Sequence, residues 1–387
     1  PPPPFFFQAE DVIRHFCLSR GLGDVYKRQT LASIITSSYP MIVVGCYFGI
    51  TPWNMNRLSI DESDLSFSIL IFGIFFVLSN QIAGRILVPK YGTKLVMSLA
   101  FPLITFSTLL SIISPSYFYF LFTFIPAGIG WGASGPIGGI HCQLIEKHFK
   151  KIITPYYAMG FNIGILVGGG LAGIIMRYSF EPFMFFLVLS FSSILVAFLV
   201  LHLGLPSNLD FKGKGEKFKI PESNVLIFGF LLFFVFGSGG IIMDWSTLWL
   251  SKDLNAPLYL ASMGLIFFSI GGILANLFSN SLIDLFTEKV VGCHFVMIGA
   301  SIMLLSLLTN NFYIILGVLC IYGFAIANLV PIVIRQAVKQ SNESIPMTVT
   351  NLITIGLSST MIMPAAVSYT HLRAHETGRN VVCRGLR

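Results

Sequence analysis

Acidic side chains are scarce in this sequence, 17 in 387 residues, and Asp244 falls inside an apolar stretch. A carboxylate at the centre of a bilayer costs about 3 kcal/mol, so an acid kept there usually moves a proton or holds a bound molecule. Counted from Val225 at ~1.5 Å per residue, Asp244 lies ~28 Å along its helix, near the outer edge of the hydrocarbon. An acid at that depth needs no function, and both readings stay open. Gly237, Gly239 and Gly240 could break the helix just before it.

Other groupings carry less chemistry. His141 adjoins Cys142 and Cys293 adjoins His294, but neighbours on a helix point in different directions and neither pair has a third partner nearby. The six cysteines show no CxxC spacing, so no metal site, cofactor or disulfide framework is expected. Gly130-Trp131-Gly132-Ala133-Ser134-Gly135 fits GxGxxG, yet it sits in an apolar run with no strand before it, which removes the dinucleotide reading. There is no GxxxxGK[ST] loop for a nucleotide. The formal charge of +7 is spread over loops without a basic patch interleaved with aromatics, so nucleic acid is not an expected partner. Nothing in these residues suggests an enzyme.

The elements that must position these residues are membrane helices. The chain is 55% hydrophobic and 11% charged, where soluble domains carry about a quarter charged residues. Runs long enough to cross ~30 Å of hydrocarbon fall near 31–52, 66–88, 95–115, 117–141, 155–177, 183–204, 224–250, 258–285, 290–308, 312–333 and 346–367. Pro40, Pro102 and Pro331 do not end them, because neighbouring helices re-satisfy the backbone. With the first span starting inside, thirteen basic residues fall in inner loops and only Arg57, Arg177 and Lys252 in outer ones. The positive-inside rule then predicts a cytoplasmic N-terminus, in a bacterial plasma membrane.

Two stretches do not fit this pattern. Residues 1–29 carry seven charges and give way abruptly at Thr30, and 368–387 reverse the change after Val367. Both resemble translated sequencing-adapter DNA and are set aside as non-native tails. Between them, 30–205 forms a six-helix half, 206–223 a basic cytoplasmic linker, and 224–367 a second half. The halves echo each other: Phe72-x-Ile74-x-x-x-Leu78-x-Asn80 recurs as Phe268-x-Ile270-x-x-x-Leu274-x-Asn276 at an offset of 196, and Pro136-Ile137 as Pro331-Ile332 at 195.

Six spans and five, in two similar halves joined by a cytoplasmic loop, together with a loop of the type G-x-L-x-D-R-x-G-[RK]-[RK], resemble the major facilitator superfamily. After the second span the chain reads Gly84-Arg85-Ile86-Leu87-Val88-Pro89-Lys90-Tyr91-Gly92-Thr93-Lys94, without the Asp; after the eighth, Asn280 to Lys289 keeps Asp284 but not the Arg. Asp244-Trp245-Ser246-Thr247-Leu248-Trp249-Leu250 and Ala327-Asn328-Leu329-Val330-Pro331 look like the fucose-permease-like branch. The resemblance implies an all-α integral membrane fold of two pseudo-symmetric six-helix halves, here with eleven spans and the twelfth replaced by tail. It also implies a monomer in the bilayer that carries a small polar solute by alternating access, with H⁺ as coupling partner and no cofactor. A non-transporting sensor on the same scaffold and a multidrug efflux antiporter are the alternatives.

By that resemblance the first, fourth, seventh and tenth spans line a central cavity. The substrate and coupling candidates are Asp244, Trp245, Trp131, Asn328 and Asn162. Each has a plainer reading: Trp245 as part of an aromatic belt with Trp53 and Trp249, Trp131 as packing among Gly128, Gly130, Gly132 and Gly135, and the asparagines as interhelical hydrogen bonds. The gating candidates flank the signature loops: Asn80, Gly84, Arg85, Lys90, Gly92 and Lys94, with Asn276 and Asp284 in the second copy.

Overall fold

The computed structural model describes residues 9–150, 152–204, 210, 220–359 and 362–363, with side chains from residue 28 onward. Every regular element among them is a helix, as lipid demands when no water can satisfy a free backbone group. Among the described residues ten helices are long and apolar enough to cross a membrane: Arg28–Gly49, Glu62–Tyr91, Thr93–Ile113, Tyr117–Phe149, Thr154–Arg177, Pro182–Leu203, Ser223–Lys252, Leu258–Leu277, Ser279–Ser306 and Phe312–Gln340. They are called the first to tenth spans below. The shorter Ile345–Leu357 is the eleventh helix. Large apolar side chains such as Leu99, Val188, Leu195, Phe230 and Leu304 are exposed, a surface suited only to lipid.

Several boundaries differ from the sequence expectation. The fourth span runs eight residues past 141 to Phe149. The first span gives way after Gly49 to a separate short helix, Thr51–Leu58, started by Pro52. Helical hydrogen bonds continue through Phe278, where Phe278 N–H reaches the Leu274 carbonyl and Leu282 N–H that of Phe278. The helix breaks at Thr287, whose φ of 70° and ψ of 154° are non-helical, in the gap that the sequence predicts between 258–285 and 290–308. Of the two proposed tails, 368–387 and most of 1–29 lie outside the residues whose side chains are described, as does most of the 206–223 linker, Lys212 and Lys219 included. Arg28 and Gln29 belong to the first span, and their side chains donate to the carbonyls of His202, Leu203 and Gly204 at the end of the sixth.

The two halves share one pattern of packing. The first span packs on the fifth, and the second and third on the fourth; correspondingly the seventh packs on the eleventh helix, and the eighth and ninth on the tenth. The halves meet where the second span lies against the eleventh helix and the fifth against the eighth. Alternate connections share a face, so Lys90, Lys94, Lys147, Lys150, Lys289 and Lys339 gather on one side, called here the Lys-rich face.

The opposite face is built by capping. Asp61 accepts from Asp64 N–H while the Asp64 carboxylate accepts from Asp61 N–H, a capping box that starts the second span. Arg57 donates to the Ser114 carbonyl at 2.6 Å and the Ser111 carbonyl at 3.1 Å, closing the C-terminus of the third span. Burial there lowers the Arg57 pKa from the usual arginine value.

Candidate functional site

The interface between halves is asymmetric along its length. At the Lys-rich face a cavity of about 630 Å³ opens between the end of the fourth span, the end of the tenth and the start of the eleventh helix, lined by Gln143, Lys147, Arg335, Lys339, Glu343 and Ile345 among others. At the opposite face the halves are joined. Lys252, ending the seventh span, pairs with Glu62, starting the second, and Leu248 and Trp245 pack among Met55, Leu65, Ile69 and Phe120.

The second span and the eleventh helix form the most polar contact between halves. Asn80 Nδ2 donates to Thr354 Oγ1 at 2.6 Å and to the Thr350 carbonyl at 3.3 Å, and Gln81 donates to the same Thr354 hydroxyl at 2.5 Å. One turn on, Arg85 donates to Gln81 Oε1 at 2.5 Å and to Asn351 Oδ1 at 2.9 Å. Asn351 Nδ2 in turn donates to Glu343 at 3.1 Å, and Glu343 accepts from Glu222 N–H at the start of the seventh span. Gly84 permits this approach: a Cβ there would stand 1.8 Å from Thr350 Oγ1. Three gating candidates, Asn80, Gly84 and Arg85, thus meet one helix, and a π-helical turn over Ala83–Leu87 carries the latter two.

The rest of the first signature loop faces elsewhere. Gly92 has φ +82°, a conformation glycine adopts without strain, and beside it Thr93 N–H donates to Asp210 Oδ2 at 2.8 Å. A linker carboxylate thereby caps the third span. Lys90 lies over the ring of Tyr91 at 4.9 Å, and Lys94 packs beside Gly204. In the second copy Asp284 is exposed and makes no ion pair among the described residues. Glu288 makes the contact instead, 3.5 Å from Arg335 and 2.5 Å from Gln336 Nε2.

The substrate and coupling candidates separate into two groups. Asn328, nearly fully buried, donates to the Ala275 carbonyl at 3.0 Å, an interhelical bond within the second half. Asn162 donates to Ala158 and sets its Oδ1 against Gly272, so it sits where the fifth span meets the eighth. Asn276, one turn beyond Gly272, donates to the Gly272 carbonyl. Trp131 packs against a cluster formed by both halves, Met41 and Ile165 of the first and Leu265 of the second, while Gly128 and Gly132 abut the Phe72 and Phe76 carbonyls of the second span. Trp245 is half-buried between halves, its Nε1 enclosed without a hydrogen-bond partner, a position unlike a lipid-facing belt. Asp244 is half-buried, with no hydrogen bond or ion pair among the described residues. It lies two turns from Gly237, which abuts Ser359 and Met363 beyond the eleventh helix.

Sequence reasoning missed Gln81, Thr350, Asn351, Thr354, Glu343 and Asp210. A signal existed for three of them: Thr350, Asn351 and Thr354 form a polar i, i+1, i+4 cluster in an otherwise apolar run. Asp210 carried none, because one of three acids in a basic linker gives no hint of its partner.

Among the described residues no group of three or more His, Cys, Asp and Glu side chains could hold a metal ion. An uncharacterized MFS-type transporter of Yersinia pestis is 23% identical to this chain over 331 residues, 83% of each protein. Among solved structures, a bacterial homolog of the human lysosomal transporter Spinster, inward-facing and unoccupied, matches with a TM-score of 0.62 at 14% identity, over 92% of this chain and 86% of that one. The human organic anion transporter TETRAN gives 0.62 at 14% identity over 88% and 92%, and the nucleoside transporter NupG, as a variant, 0.63 at 12% over 88% and 90%. At such identities the likeness is one of fold. The model of the Major Facilitator Superfamily matches residues 32–364, which hold nearly all of the helical body with its repeated pairing of spans, and the chain belongs to that family.

Proposed function

We propose that this protein is a secondary active transporter that moves a small polar solute by alternating access and couples it to protons. The observation that carries the reading is the asymmetry of the interface: a cavity of about 630 Å³ at the Lys-rich face, and joined halves, with the Glu62–Lys252 pair, at the other. The halves also meet beside the cavity through Asn80, Arg85 and Asn351, and alternating access breaks the contacts at one end while those at the other hold. The Lys-rich face is the cytoplasmic one, in a bacterial inner membrane, and the protein acts as a monomer. Trp131, Trp245, Asn162 and Asn328 contact the solute, Asp244 carries the proton, and Asn80, Gly84 and Arg85 belong to the gate. The fucose-permease-like branch is supported by Asp244 to Leu250 and Ala327 to Pro331, and the terminal stretches are non-native apart from Arg28 and Gln29, which the first span holds.

The test is flux in proteoliposomes with an imposed proton gradient, for the parent and Asp244→Asn. Solutes are screened by counterflow, and proton movement is read with an internal pH dye. The substitution is expected to leave solute binding and counterflow in place and to abolish solute-driven proton movement. Unchanged proton movement in Asp244→Asn would remove Asp244 from the mechanism.

A further inference from the structure

We infer that the cavity at the Lys-rich face is an anion-binding entrance, selecting small solutes that bear carboxylate or phosphate-type charge; the solute assignment rests on the transport reading above. The wall carries Lys147, Lys150, Arg335 and Lys339 against two acids, Glu146 and Glu343. Both acids are committed to the protein. Glu146 Oε1 accepts from Ile153 N–H, Thr154 N–H and Thr154 Oγ1–H, each at 2.7 Å, and so holds the start of the fifth span. Glu343 accepts from Glu222 N–H at 3.2 Å and Asn351 Nδ2 at 3.1 Å. Arg335 is paired with Glu288. The three lysines that remain have ammonium groups with no hydrogen bond or ion pair among the described residues.

The orientation of the protein accounts for basic residues on this face in general, and helix C-termini favour them. Neither explains why three exposed lysines, without a partner among the described residues, border one concavity while Lys90 turns onto the Tyr91 ring. The opposite face has the other balance, with Asp61, Glu62, Asp64, Glu181 and Asp253 against Arg57, Arg177 and Lys252. A cleft whose lining charge is net positive, as four basic residues against two acids make it, raises the local concentration of anions. The volume, about 630 Å³, lies within the ~300–1,000 Å³ usual for small-molecule sites. The same chemistry would also receive an anionic lipid headgroup, so the experiment separates the two sources.

The full chain is placed in phosphatidylcholine nanodiscs, and its thermal midpoint is titrated at constant ionic strength with succinate, inorganic phosphate and neutral succinamide. Saturable stabilisation by succinate or phosphate but not succinamide is expected. The double variant Lys147→Gln/Lys339→Gln should raise the half-saturating concentration at least about tenfold, equivalent to ~1.4 kcal/mol, and the corresponding Lys→Arg pair should restore it. The inference is overturned by an equal response to succinamide, by no response to either anion, or by an unchanged titration in the Gln variant. Loss of the soluble-anion response in nanodiscs containing phosphatidylglycerol would assign the site to lipid and overturn the solute assignment. Saturable anion binding without flux leaves the site standing and sinks the transport reading; flux of a neutral solute without anion binding does the reverse.

Discussion

Gly92 and Thr287 hold the same backbone conformation, φ/ψ of +82/166° and +70/154°, at the same turn of each half. They lie 195 residues apart, one fewer than Asn80 and Asn276, so the second copy of the loop is one residue shorter. This region of φ/ψ is essentially reserved for glycine, and another residue held there costs roughly 1–3 kcal/mol. Thr287→Gly should therefore stabilise the protein by about that amount, read as a higher thermal midpoint in detergent, with transport unaltered; an unchanged or lower midpoint would show that the turn is not strained. Gly92→Ala is expected to move the midpoint down, because its Cβ direction meets Asp210 Oδ2 at 2.5 Å. The repeat of Phe72 to Asn80 was legible because side-chain identity recurred. The matching turn was not, since threonine gives no signal for positive φ and the equivalence lives in the backbone alone.

At the scale of elements, the contact of the second span with the eleventh helix is the most heavily hydrogen-bonded seam between halves. Sequence located one side of it: Asn80, Gly84 and Arg85 stand beside a recognisable loop. The other side lies 270 residues further along the chain for Asn80, and no local pattern links the two. Apolar run length made ten of the eleven expected spans legible, and several of their starts, but the eleventh is a shorter helix and the fourth continues to Phe149, where Lys150 N–H donates to the Glu146 carbonyl. Arg85→Ala removes hydrogen bonds from both Gln81 and Asn351 and leaves buried acceptors unsatisfied, a cost of about 1–3 kcal/mol. That loss falls on the state in which the seam is closed. Arg85→Ala should thus increase thiol labelling of a cysteine placed at Thr354, measured in membranes with a maleimide, relative to the same cysteine in the parent. Equal labelling would mean that the seam is held by packing of Val349, Leu352 and Ile353 and not by the polar network.

Across the whole molecule, charge distributes along the axis that the two halves share. The connections at the Lys-rich face carry Lys90, Lys94, Lys147, Lys150, Lys289 and Lys339, and those at the opposite face carry Asp61, Asp64, Glu181 and Asp253. Such a bias sets orientation through the cost of translocating lysine and arginine, which acids do little to offset. The expected result is that, in a cysteine-free parent, Lys90→Cys in right-side-out vesicles resists a membrane-impermeant maleimide until the vesicles are opened, and Asp253→Cys reacts at once. Both residues are exposed or flank a helix end, so labelling reports side and not burial. The reverse pattern would turn the molecule over and place the Lys147 and Lys339 cavity on the outside. The consequence reaches the mechanism: with the Lys-rich face inside, the cavity is the cytoplasmic entrance and the Glu62–Lys252 pair an outer latch, whereas the inverted protein would present its cationic cleft to solutes arriving from outside.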